Sequence, residues 1–449
     1  MFRTSLSLFV LLPGIVFGQV TVPINYSATA SGSSKPQNAQ TAPDRQTAPP
    51  GGPATQLALD QAISLALANN PALKATRTQI QQSQAQEITA NLRPNPVLSW
   101  DSQFIPVFSP GDFSTDTLNN LQQFDVGMGY LFERGHKRQK RLQAARDQTS
   151  VTSSQVADAE RTLTFNVAQQ FINALLANSN LQFAQESLKS FQQTVNISQE
   201  RYKAGDISEG ELLKIKLQML QFQTDVTSAQ VARVQALGSL RQLIGYAALP
   251  RNYDVVGDLN YQPLTAGVED LQALALRGRP DLRAAQQGIT AAKSQVALAK
   301  ANGKQDFNAA MNYSHVAGTS STSLFFNMPL PFFNRNQGEI ARTQFALTQA
   351  DFNAKAAEDV VLTDVSNAYE ATNTSQQVVK LYISGYLKQS QDSRDISEYA
   401  YKAGAATLLD FLDAERSYRG TQLAYRQALA AYMLSLEQLR QAVGTRNLP

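Results

Sequence analysis

The chain has 449 residues, no cysteine and a formal net charge of +3. The lack of cysteine excludes disulfide bonds, thiolate metal sites, a thiol nucleophile and a lipid-anchored N-terminal cysteine. No basic patch and no RNA-binding motif stand out, so nucleic acid is not an expected partner.

The N-terminus is typical of a secretory signal peptide. A positively charged start at Arg3 is followed by an apolar run from Leu6 to Val16, with a cleavage site near Gln19. This run is too short for a permanent membrane helix. We therefore predict a signal peptide at residues 1–18, and a flexible leader rich in Pro, Ser and Gln at residues 19–56.

Helical periodicity starts at Leu57 and continues to Leu92, just before two prolines. Residues 137–202 contain neither Pro nor Gly, which predicts a single helix of roughly 100 Å at 1.5 Å per residue. Such a helix is too long for a compact domain and needs partners along its length. A shorter helix follows the turn at Gly205 and ends before Gly245, a residue suited to a helix C-terminus.

Four segments of about ten residues show the alternation of β-strands and the length of tilted membrane strands. The positions predicted to face lipid are Trp100, Phe124, Met128, Tyr130, Phe307, Met311, Tyr313 and Phe326. The residues from 108 to 120 and from 317 to 322 are expected to form external loops. Four strands cannot close a barrel, and lipid does not tolerate open sheet edges, so several chains would have to share one barrel. Two hairpins of an ordinary soluble domain are the alternative.

The whole plan occurs twice. Tyr202-Lys203-Ala204-Gly205 recurs as Tyr401-Lys402-Ala403-Gly404, and Leu240-Arg241-Gln242 recurs as Leu439-Arg440-Gln441, both with an offset of 199 residues. Each half is predicted as helix, strand pair, long helix, tight turn and helix, with apolar residues seven apart that favour coiled-coil packing. The predicted boundaries are a first repeat at 57–245, a linker at 246–267, a second repeat at 268–444 and a tail at 445–449.

These turns and helix ends, together with the run Pro329-Leu330-Pro331-Phe332-Phe333-Asn334-Arg335, resemble the TolC family of outer-membrane factors, and the run resembles its heavy-metal-efflux and nodulation-type branch. The resemblance covers residues 57–444. It implies a mainly α fold with a membrane β-barrel: long antiparallel coiled-coil helices form a periplasmic tunnel, and four strands from each of three chains form a barrel of twelve. It also implies a passive outer-membrane channel, without cofactor or bound metal, in a tripartite efflux or type I secretion system. The partners would be a periplasmic adaptor and an inner-membrane pump, and the cargo small molecules or metal ions.

The resemblance further implies a periplasmic gate. Tyr401 matches an aromatic residue of the family's gate, Asp410 and Asp413 match its acidic constriction ring, and Glu211 matches the acidic position of the first repeat. Ala406 stands where the family's gate has an arginine, which puts the usual salt bridge in doubt. The turn residues implied to contact the adaptor are Gly205, Gly404, Lys203 and Lys402.

Other interpretations of these residues stay open. Asp410 and Asp413 suit the start of a helix, where the helix dipole favours carboxylates, and Tyr401 and Tyr202 suit a coiled-coil seam. A periplasmic adaptor or scaffold would explain the helices but not the strand hairpins. A hydrolase is less well supported, because the two histidines, His136 and His315, lack the spacing of metal ligands and no nucleotide fingerprint is present. We therefore expect a channel of the outer membrane with a large periplasmic portion, and no enzyme activity.

Overall fold

The fold consists of long helices attached to one four-stranded sheet. The computed structural model describes residues 55–105, 107–112, 114–116 and 122–448. The predicted signal peptide, nearly all of the predicted leader and the last residue of the predicted tail lie outside the described residues, as does part of the predicted loop between residues 108 and 120.

The two halves of the chain have the same order of helices and strands. The first half contains β1 (Thr55–Leu57), α1 (Leu59–Asn69), α2 (Pro71–Asn91), β2 (Val97–Gln103), β3 (Gln123–Phe132), α3 (Lys137–Ala204) and α4 (Glu209–Ile244). After β4 (Tyr253–Val255), the second half contains α5 (Val268–Gly278), α6 (Pro280–Asn302), β5 (Phe307–Val316), β6 (Thr319–Asn327), α7 (Gln337–Leu381), α8 (Leu387–Lys402) and α9 (Leu408–Val443). A π-helical turn, Tyr382–Tyr386, joins α7 to α8. The small strands β1 and β4 pair in parallel and connect the end of the predicted leader to the predicted linker.

The helix predicted from Leu57 to Leu92 is wrong as a single element, because it breaks at Asn70. Arg279 breaks the second half in the same way. Each of these residues precedes a proline, whose ring disfavours a helical conformation one residue earlier, and each has an extended ψ of 121° or 125°. The prolines then occupy the first position of α2 and α6, where a missing N–H costs nothing.

The two break residues make equivalent contacts. Asn70 Nδ2 donates to the carbonyl of Leu243 at 2.7 Å, and Arg279 Nη1 donates to the carbonyl of Ala442 at 3.2 Å. Leu243 and Ala442 are themselves separated by the repeat offset of 199 residues. Each break therefore fastens the C-terminal end of the last long helix of its half, where carbonyls lack partners within the helix.

The four-stranded sheet is antiparallel throughout, with the order β2-β3-β5-β6. Its register pairs Trp100 with Val126, and Met128 with Met311. Because directly opposed residues share a face, all eight positions predicted to face lipid lie on one side of the sheet. The opposite side carries mostly polar or small residues, among them Asp125, Gly127, Gly129, Asn308 and Asn312.

The predicted loop from 317 to 322 is mostly strand. Ala317 and Gly318 alone form the turn between β5 and β6, and both have a positive φ, 47° and 72°. Two such residues make the tight turn that matches the twist of a hairpin. Thr319 to Thr322 therefore extend β6, and Thr319 pairs with Val316.

Buried apolar residues form separate clusters along the helices instead of one central core. One cluster joins α1, α3, α4 and β4 around Val167 and Phe171, a second joins α5, α7 and α9 around Val361 and Leu439, and a third lies at the turns that end α3 and α8. No described helix has both the length and the apolar character needed to cross a membrane.

Arg279 is a buried cation whose removal should weaken the fold. Its side chain is 3% exposed and pairs with Asp281 at 2.6 Å and with Asp364 at 2.9 Å. Burial alone would raise the pKa of Asp281, but the hydrogen bond and charge of Arg279 outweigh it and hold that pKa below its ordinary value. We expect Arg279→Met to lower the free energy of unfolding by about 1–3 kcal/mol at neutral pH, because two aspartates and the Ala442 carbonyl lose their hydrogen bonds to the buried guanidinium. Denaturant titration followed by circular dichroism measures this loss.

The loss should shrink in acid. A lowered folded-state pKa stabilises the protein above the ordinary pKa of an aspartate, and this contribution disappears as the pH falls through the folded-state value. The matched control is Arg277→Met, an exposed arginine of α5 without a hydrogen bond or ion pair among the described residues. Equal stability of Arg279→Met and wild type at neutral pH would contradict the prediction.

Candidate functional site

Two tight turns lie side by side where the long helices reverse direction. The turn between α3 and α4 contains Gly205, with φ 86°, and the turn between α8 and α9 contains Gly404, with φ 75°. Both values belong to the left-handed region that a side chain disfavours. Ser208 accepts from the N–H of Glu211 at 3.2 Å and so caps the start of α4. The predicted turn glycines thus shape two helix-turn-helix tips.

Tyr401 connects the two tips. Its side chain comes from the last turn of α8 and is 2% exposed. Its hydroxyl donates to Glu211 Oε1 of α4 at 3.3 Å and lies 3.4 Å from Ser198 Oγ of α3. Burial raises the pKa of Tyr401, so the hydroxyl keeps its proton at neutral pH and remains a donor to the carboxylate. The structure therefore brings two of the predicted gate residues, Tyr401 and Glu211, into contact.

Four aromatic rings form a continuous stack through the tip, which we call the aromatic stack. Phe222 of α4 lies 4.4 Å from Phe191 of α3, Phe191 lies 6.4 Å from Phe411 of α9, and Phe411 lies 5.5 Å from Tyr401, all between ring centroids. The ring planes are within 14° of parallel at each step. Since the four rings come from four helices, the stack ties the hairpin of the first half to that of the second.

An arginine lies at each end of the aromatic stack. The guanidinium of Arg201 sits 5.3 Å from the centroid of Tyr401 and donates to the Tyr401 carbonyl at 2.8 Å. At the other end, Arg419 lies 4.1 Å from the centroid of Phe222 and pairs with Asp225 of α4. Cations over aromatic faces are favourable. Arg201, from the first half, thus supplies a guanidinium at Tyr401 although Ala406 replaces the expected arginine of the second half.

Asp410 and Asp413 have different surroundings. Thr407 donates to Asp410 Oδ2 through its hydroxyl at 2.6 Å and its N–H at 3.2 Å, and the Asp410 N–H donates back to the hydroxyl at 3.3 Å. This reciprocal cap lowers the pKa of Asp410 through the hydrogen bonds of Thr407. The interpretation of Asp410 as a helix-start carboxylate therefore has a geometric basis. Asp413 is exposed and lines a groove of about 690 Å³ between α4 and α9, beside Lys214 and Arg416.

The remaining tip residues are on the surface. Lys203 pairs with Glu200 at 2.8 Å and Lys402 pairs with Glu398 at 2.6 Å, each within its own helix. Tyr202 is 40% exposed, so the prediction that it belongs to a coiled-coil seam does not hold within this chain. Its repeat counterpart Tyr401 does lie in a packed seam, and the two equivalent tyrosines therefore differ in role.

The arginines at the ends of the stack were not predicted from the sequence. Phe191 and Phe411 belong to the predicted seven-residue frame of apolar seam residues, and both are buried in the structure. Arg201 and Arg419 have no local signal, because their partners lie about 200 residues away along the chain. Only the folded arrangement of the two hairpins brings them to the rings.

The apolar face of the sheet is a second candidate site. Trp100 is 73% exposed and Phe326 is 72% exposed, while Tyr130 and Phe307 are partly covered. Phe132 covers both of them, with ring centroids 4.8 Å from Tyr130 and 4.9 Å from Phe307. A sheet face carrying aromatic and Met side chains in contact with solvent is costly in water, so this face requires an apolar partner.

Comparison with known proteins gives one matching family, and the similar proteins described below are efflux and metal-resistance proteins. The family described as outer membrane efflux protein matches residues 62–246 and 271–445. The cation efflux system protein CusC of Escherichia coli K12 is 25% identical over 382 residues, covering 80% of each chain. The cobalt-zinc-cadmium resistance protein CzcC of Cupriavidus metallidurans is 24% identical over 387 residues, covering 82% of this chain and 85% of CzcC. A crystal structure of CusC superposes with a TM-score of 0.71 at 21% identity, covering 86% of this chain and 92% of that one.

Breaking the aromatic stack should loosen both hairpins. We expect Phe411→Ala to cost about 3–5 kcal/mol of local stability, because a buried ring leaves a cavity. Tyr401→Phe should cost less than about 1 kcal/mol, because it removes only two long hydrogen bonds. Amide hydrogen exchange measures both effects. In Phe411→Ala, exchange should accelerate at residues 209–222 of α4 as well as in α9, and acceleration confined to α9 would show that the stack does not couple the hairpins.

Proposed function

Because the chain belongs to the outer membrane efflux protein family, we propose that three copies of it assemble into a passive exit duct through the outer membrane. The duct receives its cargo in the periplasm from an inner-membrane pump and a periplasmic adaptor, and releases it outside the cell. The observation that carries this proposal is the sheet: it has one apolar face, one polar face and two outer strands, and it lies at the end of long helical hairpins.

The outer strands argue for a shared barrel. Among the described residues, β2 and β6 each pair on one side only. An unpaired row of backbone N–H and C=O groups is not tolerated in lipid. Pairing β6 of one copy with β2 of the next removes every such edge and gives twelve strands from three copies. The predicted lipid-facing residues then contact acyl chains, while Asp125, Asn308 and Asn312 face the water-filled interior.

The helices continue the duct into the periplasm. A helix of 68 residues is about 100 Å long at 1.5 Å per residue. On the neighbouring α4, Leu213, Leu217 and Leu220 stay exposed, so the described residues of the chain leave an apolar part of this helix uncovered. Neighbouring copies are the natural partners for these faces, because a ring of coiled coils buries them without a separate core.

The tips form the inner gate of the proposed duct. The aromatic stack holds the two hairpins of each chain together, and the contact between Tyr401 and Glu211 lies at the end of the stack that Arg201 covers. Threefold symmetry repeats Asp413 around the axis and creates a ring of negative charge, which favours cations. Asp410 adds a second ring, although its carboxylate is partly satisfied by Thr407.

Partners and cargo follow from the position of the tips. Gly205 and Gly404 form the exposed ends of the hairpins, and Lys203 and Lys402 bind only acids of their own helices, so these turns are the proposed contact with the adaptor. Since the pump supplies the energy, the duct has no need of catalytic residues. The proposed cargo is small molecules or metal ions, and the similarity to the cation efflux system protein CusC and the cobalt-zinc-cadmium resistance protein CzcC favours metal ions.

Engineered disulfides test the shared barrel, because the native chain has no cysteine that could interfere. A chain carrying Ser99→Cys in β2 and one cysteine scanned along residues 319–327 of β6 should form covalent trimers on oxidation at one register. Non-reducing electrophoresis of outer membranes measures this. Chains with either cysteine alone are the controls and should reach dimers at most. If no position of β6 yields trimers in folded, membrane-extracted protein, the shared barrel is wrong.

Single-channel recording tests the pore and its acidic ring. Purified protein in planar bilayers should give discrete, cation-selective openings. Asp410→Asn with Asp413→Asn should lower the cation-to-anion permeability ratio by roughly twofold or more, because the ring loses its charge. Asparagine can still accept from Thr407, so the cap of α9 survives. Asp351→Asn, an exposed acid of α7, is the matched control.

Each outcome of the recording has a separate meaning. Unchanged selectivity in the double variant would remove the acidic ring but keep the pore. The absence of openings from folded, inserted protein would count against the duct and in favour of a periplasmic scaffold.

A further inference from the structure

Basic side chains gather where the sheet meets the helices. Residues 133–141 contain five Lys and Arg residues and one Glu. Two residues distant in sequence join them. Arg93 follows α2, and Lys304 packs so closely against Gly135 that its Cδ would lie only 2.7 Å from a Cβ on that glycine. The basic run at 133–141 is visible in the sequence, whereas the full cluster combines residues from three separate segments.

Much of this positive charge has no partner within the chain. Lys137 pairs with Asp306 at 2.6 Å, and Arg141 pairs with Glu133. Among the described residues, five further cations make no ion pair or side-chain hydrogen bond, and we call them the basic collar: Arg93, Arg138, Lys140, Lys300 and Lys304. Two of them, Arg138 and Lys140, stand in the first turns of α3, where the helix dipole disfavours cations. A negative charge that approaches from outside the chain would therefore find unpaired cations here.

A cavity of about 270 Å³ opens within the collar. Arg93, Lys137 and Arg138 line it together with Tyr130 and Phe132 at the end of β3. Glu133 also lines the cavity, but its carboxylate pairs with Arg141. The cavity therefore joins cationic groups to the edge of the apolar sheet face. A molecule that carries an anionic group next to a hydrocarbon portion matches both groups of lining residues.

The neighbouring surface has the composition of a membrane boundary. Leu330 and Phe332 are exposed, and Phe333 is 93% exposed, on the segment that follows β6. Aromatic residues collect at the level of lipid headgroups, and Lys and Arg next to them meet the phosphates. This segment continues the apolar face of the sheet toward the collar.

We propose that the basic collar binds the phosphate of anionic phospholipids in the leaflet on the helix side of the membrane, with the headgroup in the cavity between α3 and β3. The inference rests on the proposed placement of the sheet in lipid. The headgroup phosphate neutralises Arg93 and Arg138, and the acyl chains continue along the sheet face past Phe132. The collar thereby sets the depth of the sheet in the bilayer.

Trp100 provides a direct test, because it is the only tryptophan of the chain and lies on the apolar face of β2. The full chain is reconstituted in vesicles of phosphatidylcholine that contain, at equal mole fraction, either brominated phosphatidylcholine or brominated phosphatidylglycerol. Bromine on the acyl chains quenches tryptophan nearby. We expect stronger quenching by the brominated phosphatidylglycerol, corresponding to an enrichment of roughly threefold around the protein, which should decline at high salt.

The variant Arg93→Gln, Arg138→Gln, Lys140→Gln should quench equally with both brominated lipids. The matched control removes the same charge from exposed lysines of the helices, Lys189→Gln, Lys214→Gln, Lys216→Gln, and should keep the wild-type preference. Lys140→Arg, which retains the charge, should also keep it. Helical circular dichroism and the trimer band establish that each variant is folded.

The two possible failures are distinguishable. Equal quenching of the wild type by both brominated lipids overturns the basic collar as a lipid site but leaves the sheet in the membrane. A preference that survives in the triple collar variant also overturns it, since the charge would then lie elsewhere. The absence of quenching by either lipid would instead refute the proposed placement of the sheet.

Discussion

A strand edge cannot stay open in lipid, and the architecture of the proposed duct depends on this constraint. The described residues contribute four strands to this sheet, too few to close on themselves, so in the proposed duct closure comes from symmetry between copies. The same symmetry would supply partners for the long helices, whose exposed leucines are not covered by the described residues of their own chain. The repeat within each chain agrees with a symmetric assembly, because two similar hairpins in each of three copies would give six similar units around the tube. The two halves also fix their last long helix in the same way, since Asn70 and Arg279 donate hydrogen bonds to equivalent carbonyls at the ends of α4 and α9.

At the tips, packing accounts for more of the coupling between hairpins than charge does. Four parallel rings from four helices form the aromatic stack, and arginines from both halves cover its ends. The hydroxyl contacts of Tyr401 are long by comparison, at 3.3 and 3.4 Å. Arg201 approaches Tyr401 from the first half although Ala406 offers no guanidinium from the second.

Patterns that repeat along the chain were predictable, and contacts between distant segments were not. The family assignment is confirmed, and the long helix predicted at 137–202 extends to Ala204. All eight predicted sheet residues share one face because alternation and pairing obey the same period of two. The breaks at Asn70 and Arg279 were missed although a proline follows each, since the apolar periodicity continues through them. The loop predicted at 317–322 is a two-residue turn at 317–318, because the polar residues at the start of β6 resemble loop residues in sequence. Arg201, Arg419 and the basic collar depend on distant partners, which single-sequence periodicity does not reveal.

The π-helical turn at Tyr382–Tyr386 makes the two halves mechanically unequal. In the first half, α3 runs without interruption for 68 residues. In the second half, Gly385 adopts φ 151° inside the corresponding helix and interrupts its regular ladder of hydrogen bonds. In a threefold tube built from such chains, three uninterrupted long helices would alternate with three that the π-helical turn interrupts after 45 residues, with 16 helical residues left before the tip. Bending should concentrate at the three π-helical turns. Widening of the tip end of the tube would then come from movement of three alternate helices instead of all six.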